Sequence, residues 1–226
     1  MKTRLHLNEN HFVDSSLTFS EISKTLTCNL YPDMQYKKTK TLLSNWLGVE
    51  KSQIVLGNGS TDIIQRVFSI LTRNDGNVVF PWPSYILYAE LENKFGIQAY
   101  RTSLNDKKQI HLNNIEKALH LRENIKLIVI CNPNNPTGTV LNRDDIKSFM
   151  QKIPSSVTVL IDEAYIEYTE TIEKYTALNL ISKFDNLIIC RTFSKLYGLA
   201  ALRIGYAICS EKMVQKLENE APNWNL

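Results

Sequence analysis

The stretch that decides the fold reads LIICRTFSKLYGLAALRIGYAIC, residues 187–209. It opens with an apolar run at residues 187–190, which is typical of a strand buried on both faces of a sheet. A second apolar run follows at residues 204–209, and the segment between the two runs carries Lys195 and Arg203. Since ligands of open α/β sheets bind beyond the carboxyl ends of the strands, this segment is a candidate binding loop.

Similar apolar runs lie upstream, at residues 127–131 and 157–161, and amphipathic stretches separate them. Continuously apolar strands that alternate with helices predict an α/β protein with a mostly parallel, mixed central sheet flanked by helices. The other predicted strands are residues 53–56, 77–80 and 97–101. The predicted helices are residues 38–47, 60–72, 85–95, 115–121, 143–153, 172–181 and 211–218.

The composition of the 226 residues is that of a globular protein, with 43% hydrophobic residues and a formal net charge of +3. So small a charge gives no reason to expect a nucleic-acid or membrane partner, and no apolar run has the length of a membrane span. The four cysteines and four histidines lack the spacing of a metal site, and cysteines that end apolar runs fit a reducing compartment. We therefore expect a cytoplasmic protein without a bound metal.

The sequence Gly57-Asn58-Gly59-Ser60-Thr61 joins a predicted strand to a predicted helix. Free amides at a helix start and the positive end of the helix dipole together form a site suited to phosphate. A tight turn with an N-cap is the alternative interpretation. The segment is not a Walker motif, because no Gly-Lys-Ser/Thr follows it.

Polar residues also follow the predicted strands at residues 127–131 and 157–161. Residues 131–138 read CNPNNPTG, and the two prolines hold this loop out of a helix so that its asparagine amides project as donors, although a plain surface turn is the alternative. Asp162 leaves a buried strand, where a carboxylate is costly without a cation or a donor, so we expect it to face a fixed positive partner. We expect its neighbour Glu163 to be solvated.

Lys195 follows its strand among the hydroxyls of Thr192 and Ser194. Partial burial and nearby cations lower the pKa of a lysine, which makes its amine a nucleophile toward carbonyls. Arg203 has the charge and the fork geometry of a phosphate clamp. An exposed lysine and a structural ion pair are the respective alternatives.

Together these groups match the parts of one ligand, pyridoxal 5′-phosphate. Asp162 would meet a protonated ring nitrogen, Tyr165 and Asn135 would donate to the ring hydroxyl, and Lys195 would bind the aldehyde. The groups that would form a phosphate cup are the turn at Gly59, Ser60, Thr61, Thr192, Ser194 and Arg203.

The chain resembles the fold-type I pyridoxal-phosphate-dependent aminotransferases, and among them the histidinol-phosphate aminotransferases. The matching segments are residues 7–10, 31–32, 57–61, 83–85, 132–138, 162–165, 192–195 and 202–203. The resemblance implies that Lys195 is the catalytic residue, which holds the cofactor covalently and shuttles a proton. It also implies that Asp162 pairs with the ring nitrogen, that Tyr85 stacks on the ring, and that Tyr165 and Asn135 contact the ring hydroxyl.

The resemblance further implies a division of the chain into an N-terminal arm at residues 1–30, a cofactor-binding large domain at residues 31–220, and the start of a crossover at residues 221–226. The small C-terminal domain of the family would then be missing. Asn8 and Asn10 would line the substrate entrance, and Tyr31 would reach the cofactor phosphate of a neighbouring subunit in a homodimer. His11 and Ala201 replace a proline and a glycine that are common in the family.

The implied reaction is transfer of an amino group between histidinol phosphate, or a related amine, and 2-oxoglutarate. One alternative is a lyase similar to threonine-phosphate decarboxylase, because the same cofactor can break a bond to a carboxylate. The other is a non-catalytic cofactor-binding fragment, because the matched segments do not include the arginines that hold the substrate in this family.

Overall fold

Seven strands form one sheet within the residues that the computed structural model describes, which are 6–24, 27 and 29–222. Their order across the sheet is β1-β7-β6-β5-β4-β2-β3. β7 pairs antiparallel with β1 and β6, and all other pairs are parallel, which confirms the predicted mixed and mostly parallel sheet. The strands are β1 (Ile54–Asn58), β2 (Asn77–Trp82), β3 (Ala99–Ser103), β4 (Ile125–Cys131), β5 (Thr158–Asp162), β6 (Leu187–Thr192) and β7 (Ile204–Cys209).

Helices cover both faces of this sheet. The buried side chains of α3, α4 and α8 pack on one face, and those of α2, α5 and α6 pack on the other. Because both faces are buried, the central strands are continuously apolar rather than alternating. The helices of the described residues are α1 (Ser15–Ser23), α2 (Lys37–Leu47), α3 (Gly59–Thr72), α4 (Leu87–Phe95), α5 (Leu112–Leu121), α6 (Arg143–Met150), α7 (Ile172–Tyr175) and α8 (Glu211–Asn219).

The helix predicted at residues 172–181 is wrong in its second half. α7 ends at Tyr175, and only a short 3-10 turn follows at Leu178–Leu180. The chain leaves the helix because the Thr176 hydroxyl and the Ala177 amide both donate to the buried carboxylate of Glu163, at 2.9 and 2.7 Å. A tertiary contact therefore overrides the local helical pattern.

The segment that precedes α2 contains the short helix α1. α1 is capped by Asp14, whose side chain accepts a hydrogen bond from the Ser16 amide. Its apolar side chains Leu17 and Phe19 are 67% and 72% exposed.

Of the predicted arm, residues 1–5, 25, 26 and 28 lie outside the described residues, as do residues 223–226 of the predicted crossover. Among the described helices, none has the length and apolar character that crossing a bilayer requires.

Candidate active site

The reversed direction of β7 brings one predicted site residue to the others. Asn58, at the end of β1, pairs with Ile204, and Thr192, at the end of β6, pairs with Gly205. β7 therefore begins at the edge of the sheet where its antiparallel neighbours β1 and β6 end. Arg203 precedes β7, so it lies beside residues that follow the other strands.

The start of α3 packs tightly against this arginine. Gly59 has a φ of +74°, and a Cβ atom at that position would lie 2.4 Å from Nη2 of Arg203. A Cβ atom on Gly205 would lie 2.3 Å from the amide nitrogen of Ser60. Both positions require glycine, because any side chain would push the guanidinium or the strand away from the helix start.

The same guanidinium contacts a hydroxyl, which in turn accepts from a second hydroxyl. Arg203 Nη1 donates to Ser194 Oγ at 3.4 Å, and Thr192 Oγ1 donates to Ser194 Oγ at 2.9 Å. Ser60 and Thr61 lie in the first turn of α3. A guanidinium, several hydroxyls and the positive end of a helix dipole form a corner suited to a phosphate group.

Asp162 lies buried at the end of β5, with 1% of its surface exposed. Its carboxylate accepts hydrogen bonds from the Tyr88 hydroxyl at 2.9 Å and from the Ala164 amide at 3.2 Å. Burial raises the pKa of this carboxyl to about 6, and those two hydrogen bonds oppose the rise. Both of these donors are neutral, and the positive charge of Lys195 also opposes the rise in pKa. The fixed positive partner of Asp162 stays a prediction.

Lys195 is half-buried beside this carboxyl. Its Nζ donates to the carbonyl oxygen of Leu7 at 2.7 Å and lies 5.6 Å from the centroid of the Tyr165 ring. Burial lowers the pKa of the amine, the negative charges of Glu9 and Asp162 oppose that change, and Arg203 adds to it. A lysine of lowered pKa carries a larger fraction of nucleophilic free amine at neutral pH.

Tyr165 is the centre of a small group of amides. Its hydroxyl accepts from Asn8 Nδ2 at 3.0 Å and lies 3.5 Å from Asn135 Nδ2. Asn10, the other predicted entrance residue, donates to the carbonyl oxygen of Leu196 at 2.7 Å. The N-terminal segment is thus held against the loop that carries Lys195.

Tyr85 lies at the opposite side of the site, just before α4. Burial raises the pKa of its hydroxyl, and the charge of Asp162 adds to that rise while Thr61 and Arg203 oppose it. Its ring meets the ring of Tyr88 edge-on, with centroids 5.7 Å apart. The charge of Asp162 and the Thr61 hydroxyl both act on the Tyr85 hydroxyl.

The three asparagines of the loop after β4 have different surroundings. Asn132 is fully buried and accepts from the Leu141 amide at 2.7 Å. Asn134 accepts from Ser84 Oγ at 2.8 Å and donates to Thr137 Oγ1 at 2.9 Å. Asn132 and Asn134 therefore hold the loop in place, whereas Asn135 lies at the Tyr165 hydroxyl.

A cavity of about 500 Å³ adjoins this loop, and its lining includes Asn8, Asn135, Tyr165, Tyr168 and Glu170. A larger cavity of about 610 Å³ lies elsewhere, against α2 and α8, and none of the predicted site residues lines it. The smaller cavity is the one that belongs to the site. Among the described residues, no group of three or more histidine, cysteine or acidic side chains could hold a metal ion.

The structure leaves the predicted role of Tyr31 open. It lies in the segment before α2 and is 76% exposed. Its predicted contact is with a neighbouring subunit, so its role remains a prediction.

Sequence reasoning missed Tyr88 and the pairing of Glu163 with Arg191. Glu163, which we expected to be solvated, is fully buried, and Arg191 Nη2 lies 2.9 Å from its Oε2. The signal was available for Tyr88, since a residue three positions after Tyr85 shares its side of a helix. The pairing of Glu163 with Arg191 depends on β5 and β6 being neighbours, which no local pattern states.

The chain is similar to known aminotransferases. The matching family model is that of the class I and II aminotransferases, and it matches residues 3–226. A histidinol-phosphate aminotransferase of Caldicellulosiruptor saccharolyticus is 36% identical over 225 residues, which cover 99% of this chain and 62% of that protein. An aromatic amino acid aminotransferase of Corynebacterium jeikeium is 37% identical over 191 residues, which cover 84% of this chain and 50% of that protein.

Solved structures give the same likeness. The histidinol-phosphate aminotransferase of Sinorhizobium meliloti, in complex with pyridoxal-5′-phosphate, matches with a TM-score of 0.86 at 26% sequence identity. The match covers 96% of this chain and 58% of that one. The fold predicted from the sequence is confirmed by this likeness.

Proposed function

The chain belongs to the class I and II aminotransferase family, and on that premise we propose that it binds pyridoxal 5′-phosphate and transfers an amino group from a small amino donor to a 2-oxo acid. The proposal depends on one observation, that Lys195, Asp162 and Arg203 lie at one edge of the sheet. They are a half-buried amine, a buried carboxylate and a guanidinium at the start of α3. The chain spans 62% and 50% of the two curated relatives, so the activity of those longer proteins is proposed for it rather than transferred.

The chemistry of the donor set fits this cofactor. The corner formed by Arg203, Ser194 and the start of α3 offers positive charge and hydrogen-bond donors to a phosphate. The glycine at position 59 lets the Arg203 guanidinium approach the start of α3, because a Cβ atom there would meet that guanidinium. A buried carboxylate with neutral donors, such as Asp162, gains stability when a positively charged ring nitrogen approaches it.

The remaining residues match the other parts of the ring. We assign Tyr85 to packing against the ring face, and Tyr165 and Asn135 to hydrogen bonds with the ring hydroxyl. Ser60, Thr61 and Thr192 complete the phosphate contacts. When bound, pyridoxal phosphate supplies an electron-withdrawing ring that stabilises negative charge on the reacting carbon of an amine.

The chain's own residues would then divide the work as follows. Lys195 would hold the cofactor aldehyde, and its free amine would move a proton at the reacting carbon of the substrate. Asp162 keeps the ring nitrogen protonated, because a buried carboxylate is stabilised by the positive charge that it faces. Arg203 holds the phosphate in place throughout.

For the substrates, we propose histidinol phosphate or a related amine as donor and 2-oxoglutarate as acceptor, since the two curated relatives carry the names of histidinol-phosphate and aromatic amino acid aminotransferases. Asn8 lines the 500 Å³ cavity, and we assign Asn8 and Asn10 to the entrance through which a donor would approach. We further propose that residues 31–220 form the cofactor-binding domain, with residues 1–30 as the entrance arm. A homodimer in the cytoplasm, with Tyr31 reaching the second site, completes the proposal.

The test is an absorbance spectrum of the purified protein with pyridoxal phosphate, recorded on separate samples that receive either borohydride or an amino donor. We expect a visible band that borohydride abolishes and that a suitable donor changes, together with glutamate formed from 2-oxoglutarate. Release of carbon dioxide instead would identify a lyase. A band that no amine changes would leave cofactor binding alone, and no band would refute the proposal.

A further inference from the structure

A buried ion pair lies next to the site, on the other face of the sheet. Glu163 is 0% and Arg191 is 4% exposed. Arg191 Nε donates to Glu163 Oε2 at 3.0 Å, and Arg191 Nη2 donates to Thr176 Oγ1 at 2.8 Å. The same carboxylate accepts from Thr176 Oγ1 and from the Ala177 amide. The pair and the threonine thus form a closed set of hydrogen bonds.

Two members of this set lie close in sequence to the proposed catalytic groups. Glu163 directly follows Asp162, and Arg191 opens the segment Arg191-Thr192-Phe193-Ser194-Lys195. Asp162 pairs with Cys190 across the sheet, and the Glu163 amide donates to the Cys190 carbonyl oxygen at 2.8 Å. Because successive side chains of a strand point to opposite faces, Asp162 lies on the α4 side and the ion pair lies on the other.

A buried ion pair is a poor way to gain stability alone. Removing two charges from water is costly, and apolar side chains of similar size often stabilise a protein as well or better. Such a pair does fix the relative position of the two segments that carry it. A guanidinium fork and a carboxylate form good hydrogen bonds only in a narrow range of relative positions. Here that constraint acts on the ends of β5 and β6.

We propose that Glu163, Arg191 and Thr176 are positioning residues, which hold Asp162 and Lys195 at the separation that the cofactor requires. Their side chains act from the far face of the sheet, through the backbone that they share with the two groups. This inference rests on the proposed function, because it concerns the binding of pyridoxal phosphate. It adds residues that touch neither cofactor nor substrate.

The experiment compares the full chain with Glu163→Gln, which removes the charge at constant shape, and with Thr176→Val, which removes only a hydroxyl. Thr72→Val is the matched control for the second variant, because Thr72 is also buried and its hydroxyl donates to the Phe68 carbonyl oxygen, far from the site. Phe149→Leu, at a buried position of α6, controls for loss of stability in general. The measurements are the Kd for pyridoxal phosphate, the rate at which a borohydride-reducible adduct forms, and the melting temperature.

We expect Glu163→Gln to weaken cofactor binding about tenfold and Thr176→Val about threefold, with slower adduct formation in both, since hydrogen bonds to charged groups are lost. Both controls should keep the wild-type Kd despite lower melting temperatures. If Glu163→Gln does not fold, Thr176→Val against Thr72→Val decides the question. Equal cofactor binding by these last two variants would overturn the inference, whereas a wild-type protein that binds no pyridoxal phosphate would overturn the proposed function itself.

Discussion

The hydroxyl of Tyr88 donates to Oδ2 of Asp162 at 2.9 Å, and both side chains are buried from water. Tyr88 comes from α4 and Asp162 from the end of β5, so the contact joins a helix on one face of the sheet to the carboxylate at its edge. The hydrogen bond lowers the pKa of a carboxyl that burial has raised. Tyr88 therefore favours the charged form of Asp162, the form that the proposed contact with a protonated ring requires.

Tyr88→Phe tests this relationship without changing the shape of the core. Hydrogen bonds to charged groups contribute about 1.5–3 kcal/mol, so we expect the Kd for pyridoxal phosphate at neutral pH to rise about tenfold. Cofactor fluorescence titration measures the change. Tyr100→Phe, on β3, is the control, because Tyr100 lies outside the site and should keep the wild-type Kd.

The raised pKa of Asp162 predicts a pH dependence of stability in the cofactor-free protein. Between pH 4 and the folded-state pKa of about 6, the native carboxyl binds more protons than the unfolded one, so its contribution to stability falls as pH rises. The loss above that window is up to about 3 kcal/mol. Asp162→Asn should therefore be more stable than wild type at pH 7.5 and no more stable at pH 4.

Urea unfolding at both pH values checks this expectation. The same variant should bind pyridoxal phosphate more weakly, because a neutral amide does not stabilise a protonated ring nitrogen. A difference in stability between wild type and variant that stays constant across the two pH values would contradict the assignment of the raised pKa to Asp162.

Gly59→Ala should show whether position 59 affects phosphate binding in addition to the effect of backbone strain on stability. A left-handed conformation costs an alanine about 1–2 kcal/mol, and Gly96, with φ of +62° and open space around it, would bear the same cost. Only the Cβ atom at position 59 would meet the Arg203 guanidinium. We expect similar melting temperatures for Gly59→Ala and Gly96→Ala, but clearly weaker cofactor binding in Gly59→Ala alone; equal affinities would argue against a phosphate site there.

Lys195→Ala should abolish the covalent attachment of pyridoxal phosphate. Because burial lowers the pKa of this amine, Lys195 should react faster at pH 7 than the exposed lysines of the chain. Mass spectrometry of peptides after borohydride reduction locates the adduct. Lys183→Ala, at an exposed position, should retain it. An adduct spread over many lysines in the wild type would refute the assignment.

Asn134 and Asn135 are neighbours with different predicted roles. Asn134→Ala removes the partner of Ser84 and Thr137 in a buried loop, so we expect a loss of stability of about 1–3 kcal/mol. Asn135→Ala leaves those bonds intact and should change stability little while weakening cofactor binding. Chemical denaturation and fluorescence titration of both variants distinguish the two effects, and the reverse pattern would exclude Asn135 from the site.

The sequence by itself determined the class of fold, and it supplied most residues of the candidate site as predictions. Apolar runs of four or five residues predicted strands that are buried on both faces. Such runs are local features of the sequence, and the folded chain keeps them. Asp162 and Lys195 became candidate site residues because each comes soon after the end of such a run. Element boundaries were correct to within a few residues, apart from the helix predicted at residues 172–181.

Only the tertiary structure decided which of these groups meet. Arg203 reaches the phosphate corner because β7 runs against its neighbours, and Glu163 is buried because β5 and β6 lie side by side. Strand order and direction are set by contacts between residues far apart in the chain, whereas helical and strand periodicity reflects only neighbours along it. For the same reason the ion pair of Glu163 with Arg191 and the Tyr88 hydrogen bond became visible only in the folded molecule.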